Sequence, residues 1–208
     1  MKLRHVLFIA ALAPAQALAT NGYFSHGYST INQGMAGAGT ALAQDSIAAA
    51  TNPAGMAFVG HRSDFGAEVF SPRRDYQVEG GSPQPDAFYL MTGTFESANE
   101  AFVIPHLGYN RPISEQHSLG VSIFANGGMN TEYSNADGGT FFAGDAGVNL
   151  EQLFIAPTWA WQFSEGHAIG ISPILAYQRF SATGLSSFGQ MSSAPQALSN
   201  EGTDHAWG

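Results

Sequence analysis

From residue 62 onward the sequence alternates with a period of two. Apolar side chains recur at every second position in five segments, near residues 65–69, 103–109, 119–126, 153–161 and 169–178. This is the period of a β-strand, whose successive side chains point to opposite faces. The longer segments, such as 153–161 and 169–178, are near the roughly 9–11 residues that a tilted strand needs to cross a bilayer. The sequence therefore predicts an all-β fold whose strands each carry one apolar face.

The connections between these segments alternate between short and long. Residues 111–117 and 163–166 are short connections, whereas residues 76–101, 127–148 and 181–203 form long polar ones. Short turns at one end and long loops at the other are typical of outer-membrane barrels, in which the short turns are periplasmic. We therefore expect a transmembrane antiparallel β-barrel with its long loops outside the cell.

The charge content limits the other classes of protein. Only 11% of residues are charged, against roughly 25% in an average soluble protein. The net charge of −9 argues against a nucleic-acid partner, because few basic groups are present to neutralise phosphates. The chain has no cysteine, which excludes disulfide scaffolds and thiolate metal sites.

Residues 1–19 have the features of a secretory signal peptide. Basic residues precede the apolar run 6–13, and small residues follow, so that we expect cleavage after Ala19. A membrane anchor would need about 20 uninterrupted apolar residues, and Pro14 and Gln16 interrupt this run. The sequence thus predicts an exported protein.

Residues 20–60 differ from the alternating part and predict a separate small element. Gly37 and Gly39 lie in an Ala/Gly-rich stretch that indicates a tight, loop-like backbone. Asp45 is placed to cap a short helical run over residues 46–50.

A second helical turn is expected after Asn52. Asparagine is a favoured N-cap residue, and proline is favoured at the first helical position, which Pro53 occupies. Ala54 then begins a turn that extends to residue 57. Asn52 and Pro53 together predict the direction in which the chain enters this turn.

These motifs, in this order, resemble the N-terminal region of the FadL/TodX family, which imports long-chain fatty acids or other hydrophobic compounds. The resemblance continues into the alternating part, and its motifs are Gly34 to Ala41, Asp45, Asn52 to Gly55, Phe70 to Pro72, Phe102 to Tyr109 and Ser118 to Val121. It implies a fourteen-stranded barrel in the outer membrane of a Gram-negative bacterium, with an N-terminal lumenal hatch of short helices. Residues 20–60 would be the hatch, and residues 61–208 the first five and a half strands, so that the chain is expected to be an N-terminal fragment.

The resemblance also implies functional residues. It predicts a channel for passive uptake of hydrophobic molecules, gated by the hatch and releasing its ligand sideways beside a kinked third strand. The hatch and gating residues would be Gly37, Gly39, Asp45, Asn52, Pro53 and Ala54, with the Asn52–Ala54 motif facing the third strand. The lateral opening would involve Asn126, Gly127 and Gly128, because glycine pairs suit a bulge or kink.

Apolar residues in the long loops are candidates for ligand capture. Phe141, Phe142, Leu185 and Phe188 would be unfavourable in water unless they pack together or bind an apolar ligand. The sequence leaves these two interpretations open.

Catalysis has no support in the sequence. No Gly-x-Ser-x-Gly elbow occurs, the glycines do not form a dinucleotide fingerprint, and the histidines lack metal-ligand spacing. We therefore predict no enzyme, no cofactor and no metal. The expected partners are fatty acids or hydrocarbons and the outer-membrane lipids around a monomer. Two alternatives remain, an outer-membrane lipid-modifying enzyme and a permanently plugged structural or adhesive barrel.

Overall fold

The computed structural model describes residues 24–80, 91–137, 140, 145–194 and 201–208. Within these ranges the chain is dominated by strands. They are β1 (Arg62–Phe70), β2 (Asp75–Val78), β3 (Gly93–Glu96), β4 (Phe102–Pro112), β5 (His117–Tyr133), β6 (Ala146–Ser164), β7 (His167–Ile171), β8 (Leu175–Thr183) and β9 (Glu201–Trp207). The predicted signal peptide, residues 1–19, lies outside the described residues.

The strands form one large antiparallel sheet and one hairpin. The large sheet has the order β1-β4-β5-β6-β8-β9, with β7 also paired to β6, and β2 pairs only with β3. Neighbours in the large sheet are neighbours along the chain once the β2–β3 hairpin is set aside. This up-and-down arrangement confirms the predicted all-β antiparallel fold.

The two faces of the large sheet differ in what covers them. On β5, Ser122 and Phe124 are buried, with Phe124 only 3% exposed, beneath the N-terminal segment of residues 24–61. On the opposite face Phe65 of β1 is 82% exposed. We call these the covered face and the open face. The apolar alternation predicted from the sequence is therefore present, with the apolar side chains concentrated on the open face.

The short turns lie where the sequence predicted them, but the long connections contain more strand than expected. The connection predicted at residues 76–101 contains the β2–β3 hairpin, and β5 and β6 extend into the connection predicted at 127–148. The alternation predicted that the third strand ends at residue 126, and the glycine pair that follows predicted a bulge or kink. Pairing with β6 instead resumes at Gly128, because a bulge absorbs the irregularity and the strand continues.

The predicted fifth strand is also corrected, because it is divided into β7 and β8. Residues 172–174 lie outside the ladder between the two parts. Pro173 lies at the centre of this interruption and has no amide hydrogen to donate.

The N-terminal segment contains three short helical elements. They are helix α1 (Thr30–Gly34) and two 3₁₀ turns, η1 (Ala48–Ala50) and η2 (Pro53–Ala57). The sequence predicted the two turns but not α1, whose N-cap is Ser29, with its hydroxyl accepting from the Asn32 amide at 3.2 Å. In the described ranges no helix combines the length and the apolar character needed to cross a membrane.

Candidate functional site: the covered face and the outer cavity

The N-terminal segment contacts the sheet through two small apolar clusters. In the first, Ile47 packs with Phe124 and Ala156, and Tyr28 approaches Phe124 with ring centroids 4.9 Å apart. Burial raises the pKa of the Tyr28 phenol, which favours its neutral form. In the second, Ala49 and Met56 pack against Ala160. These clusters place η1 and η2 over β5 and β6.

Asp45 connects α1 to η1 within the segment. Its Oδ2 accepts a hydrogen bond from Ser29 Oγ at 2.5 Å, and its Oδ1 accepts from the Ile47 amide at 2.9 Å. The predicted capping role of Asp45 therefore has a structural basis, although the run it precedes is a 3₁₀ turn rather than an α-helix. The carboxylate is 5% exposed, so these bonds form away from solvent.

Hydrogen bonds also link the segment to the wall. Ser46 donates its amide and its hydroxyl to Asp64 Oδ2 on β1, at 2.8 and 2.7 Å, and Asp64 also binds Arg62. Ser122 of β5 donates to the Ser46 carbonyl at 2.7 Å. Asn110 of β4 donates from Nδ2 to the carbonyls of Met56 and Gly60, at 3.0 and 2.8 Å. Three different strands thus contact the same short segment.

Glycines in the wall allow the segment to approach this closely. A Cβ added at Gly108 would overlap Ser46, one at Gly120 would lie 2.5 Å from Met56 Cε, and one at Gly170 would overlap the backbone of Pro53 and Ala54. Side chains at these positions would push the segment away from the wall. These three positions on β4, β5 and β7, which we call the glycine seats, lie directly against the segment. No local sequence signal marks this role.

Asn52 caps η2 as predicted. Its Oδ1 accepts from the Ala54 amide at 3.2 Å, and its Nδ2 donates to the Thr40 carbonyl at 2.9 Å. The expectation that this motif faces the third strand of the barrel is corrected, because Pro53 and Ala54 lie against Gly170 of β7. It is Met56, later in the turn, that contacts the third strand, β5.

Gly37 and Gly39 occupy crowded positions within the segment. Gly37 has a φ of +77°, and an added Cβ would lie 3.2 Å from the His26 carbonyl oxygen. A Cβ at Gly39 would lie 2.6 Å from Met35 Cε. The structure therefore explains why glycine occupies both positions. Neither glycine lies against Gly108, Gly120 or Gly170.

The third strand of the sheet contains a bulge at the position of the predicted lateral opening. Ala125 pairs with Leu153 and Gly128 pairs with Glu151, so that Asn126 and Gly127 together lie opposite Gln152. The extra residue reverses which side chains of β5 face the covered side beyond this point. Gln152 donates to Gln178 Oε1 at 2.7 Å, and its own buried Oε1 has no partner.

A cavity of about 260 Å³ lies near the far ends of β5, β6 and β8. Its walls are mostly apolar and include Leu185 and Phe188, two of the predicted capture residues. The other residues that line it are Thr131, Tyr133, Ala146, Gly147, Val148, Thr183 and Gly184. Phe141 and Phe142 lie outside the described residues. In the part of the chain that the structure describes, no three His, Asp or Glu side chains are grouped as a metal site requires.

Comparison with known proteins places this architecture in a family. Residues 6–204 match the family described as "Outer membrane protein transport protein (OMPP1/FadL/TodX)". The chain belongs to this family. Among solved structures it is similar to one described as "Crystal structure of a Pseudomonas aeruginosa FadL homologue", with 18% identity and a TM-score of 0.52. That match covers 90% of this chain and 48% of the other, so the chain spans about half the length of the homologue. Comparison with curated proteins gave no match.

Family membership gives the two faces of the sheet their environments. FadL/TodX proteins are outer-membrane proteins, so the open face is the lipid side and the covered face is the lumen. On β6 the lipid side is apolar from Leu153 to Phe163, which at about 3.3 Å per residue and a tilt near 40° gives a height of roughly 25 Å. Beyond Leu153 the next lipid-side residue is Glu151, paired with Arg179 at 3.6 Å. This polar pair marks one border of the membrane-embedded belt.

Proposed function

We propose that this FadL/TodX protein is an outer-membrane channel for the passive uptake of long-chain fatty acids or similar hydrophobic molecules, with the N-terminal segment as its movable hatch. The observation that supports the proposal best is the position of that segment. It covers the lumen face of β4 to β7 at the height of the membrane belt, where it would block passage of a ligand. Transport therefore requires the segment to move.

The contacts of the hatch suit such a movement. Each apolar cluster has three buried residues, and of these six only Ile47, Ala49 and Met56 belong to the hatch. The other described links between the hatch and the wall are hydrogen bonds, each of which contributes on the order of 1 kcal/mol. The wall, in contrast, is held by long antiparallel ladders between β4 and β5 and between β5 and β6. A displaced hatch thus leaves the barrel intact.

The outer cavity is suited to capture the ligand. Its apolar lining includes Leu185 and Phe188, and burial of an acyl chain would contribute roughly 0.8 kcal/mol per methylene. After capture, a hatch displacement would open the lumen, and the ligand would leave sideways near the bulge at Asn126 and Gly127. This order of events follows the position of the two sites along the strands.

The cap of the hatch turn provides a test of gating. Replacing Asn52 by Ala removes its bonds to Ala54 and Thr40, at a cost of about 1 kcal/mol, which shifts a two-state hatch without unfolding a barrel. We expect the Asn52→Ala variant of the full-length protein to change uptake of a long-chain fatty acid at unaltered surface abundance. Thr51→Ala is the matched control, because that exposed hydroxyl makes only a local 3.3 Å bond. Unchanged uptake in Asn52→Ala at equal abundance would reject the gating role.

The capture cavity can be tested separately. Leu185→Ser should weaken equilibrium binding of a fluorescent long-chain fatty acid to the purified full-length protein, because it places a hydroxyl in an apolar wall. Met191→Ser is the control, since Met191 is 67% exposed and does not line the cavity. Equal binding by both variants would exclude this cavity as the capture site.

A further inference from the structure

Two prolines face each other across neighbouring strands in the centre of the wall. β6 pairs with β8 up to Ile155 and Leu175, and with β7 from Trp159 and Ile171 onward. The spacing on the two sides is equal, because 159 − 155 and 175 − 171 are both 4. The register therefore continues through the interruption and places Pro157 opposite Pro173.

The prolines explain why the ladder stops on one side of β6 only. Pairing of β5 with β6 includes Val121 with Pro157 and is unbroken there. On the side of β6 that faces β7 and β8, the bonds expected between residues 157 and 173 cannot form, because neither proline has an amide hydrogen. Two adjacent strands thus lie side by side without backbone hydrogen bonds over residues 172–174.

A side-chain hydroxyl takes the place of one of the missing bonds. Ser172 Oγ donates to the Pro157 carbonyl at 3.2 Å, which satisfies an acceptor that Pro173 cannot serve. Thr158 Oγ1 lies 2.9 Å from Ser172 Oγ. We call this interruption the seam. Two hydroxyl groups, those of Thr158 and Ser172, bridge it, and their hydrogen bonds can be released by side-chain rotation without breaking a backbone ladder.

The seam lies at mid-height of the membrane belt. Pro157 is four residues from Leu153 and six from Phe163, the two ends of the apolar lipid-side run of β6, so it lies within one residue of the centre of that run (157 − 153 = 4; 163 − 157 = 6). It therefore faces the bilayer midplane. Backbone groups without partners are costly there, so an open wall at this height requires the compensation that the hydroxyls provide.

On the lumen side the hatch covers the wall around the seam. Ala156 packs in the Ile47 cluster and Ala160 in the Met56 cluster, one on each side of Thr158. Gly170, two residues before Ser172, seats Pro53 and Ala54. The same hatch movement that opens the lumen would thus uncover the seam.

We propose that the Pro157–Pro173 seam is a second passage through the wall, by which a molecule with an alkyl chain moves between the lumen and the bilayer midplane. It is separate from the bulge at Asn126 and Gly127, which lies on the opposite side of β6 and nearer the outer border of the belt. The proposal rests on the proposed channel function. Its ligand class is set by the seam itself, because an alkyl chain needs no hydrogen bonds from the two prolines.

A reversible cross-link tests this passage. The chain has no native cysteine, and the Thr158 and Ser172 hydroxyls are close enough for cysteines there to form a disulfide. The Thr158→Cys/Ser172→Cys double variant of the full-length protein would be assayed for fatty-acid uptake in oxidised and reduced forms. Leu150→Cys/Phe180→Cys is the matched control, because these two residues pair directly between β6 and β8. Leu150 lies eight positions from Thr158 along β6, so both cysteine pairs have the same phase in the ladder.

We expect oxidation to lower uptake by roughly half or more in the seam variant and reduction to restore it, with no effect in the control. The restored activity shows that the variant folds. Equal uptake by the oxidised and reduced seam variant, at complete cross-linking, would overturn the proposal. An equal loss in both pairs would also overturn it, because any link between these strands would then stop transport.

A labelling measurement tests, independently of transport, whether the seam can be reached from the bilayer. Ser172→Cys should react with a maleimide carried on an acyl chain dissolved in the bilayer several times faster than Gln178→Cys, a lumen-side position on the intact part of β8. Equal rates would overturn the passage. If the wild-type protein shows no uptake while Ser172→Cys is labelled selectively, the proposed channel function fails and the membrane-accessible seam stands.

Discussion

Removal of the Asn110 side chain should release the hatch from the wall. Asn110 is fully buried, and its Nδ2 donates to two hatch carbonyls, Met56 O at 3.0 Å and Gly60 O at 2.8 Å. These bonds fix both the end of η2 and the chain that follows it. Alanine at this position would leave the buried Met56 carbonyl and the partly buried Gly60 carbonyl without this donor.

The size of the effect follows from the two acceptors. A buried polar group that loses its partner costs about 1–3 kcal/mol, and partial entry of water keeps each loss near the lower end. We therefore expect the docked hatch to lose about 2–4 kcal/mol. Since each 1.4 kcal/mol is tenfold, the undocked population should rise roughly 30- to 700-fold.

Hydrogen exchange of the full-length protein measures this directly. In Asn110→Ala the amides of residues 46–58 should exchange faster by about the same factor, whereas the paired amides of β5 and β6 keep their protection. Asn130→Ala is the control, because Asn130 bonds Asn149 at 3.0 Å on the lipid side and does not touch the hatch. Unchanged exchange in residues 46–58 of Asn110→Ala would refute the inference that Asn110 holds the hatch.

Two further substitutions test the wall. Gly170→Ala should weaken hatch docking by about 1–3 kcal/mol and make the hatch more sensitive to protease, because its Cβ would overlap the Pro53 backbone; Gly34→Ala, with open space around its Cβ, should not. Ile155→Arg should impair folding into lipid bilayers by about 2–4 kcal/mol, because it places a charge near the midplane. Gln178→Arg on the lumen side should cost less, and equal folding free energies would contradict the assigned faces.

The fold was largely predictable because the alternation is a local signal. Strands such as β4, with Val103 and Leu107 on one face and Gly108 and Asn110 on the other, show their two environments directly in sequence. The short β2 and β3 were missed because four residues are too few for a periodic pattern. The division of the fifth strand was missed for another reason, since Pro173 acts through a partner, Pro157, that only the register identifies.

The site was less predictable because it depends on contacts between distant residues. Asn52 and Asp45 were found from capping chemistry, which operates within a few residues. Asn110, Gly108 and Gly170 were not found, because in isolation they appear as ordinary strand residues. Their importance arises only when the hatch lies against them, at separations of 50 residues or more along the chain.

In the proposed function, the glycine seats would also determine the shape of the lumen once the hatch has moved. At Gly108, Gly120 and Gly170 the wall presents bare backbone, so that the space gained is deeper by about one side chain than it would be in a wall of ordinary residues. A flexible hydrocarbon chain following that surface would meet no protruding groups at these points. The bare backbone that lets the hatch lie close to the wall would then form a smooth surface along the proposed path of the ligand.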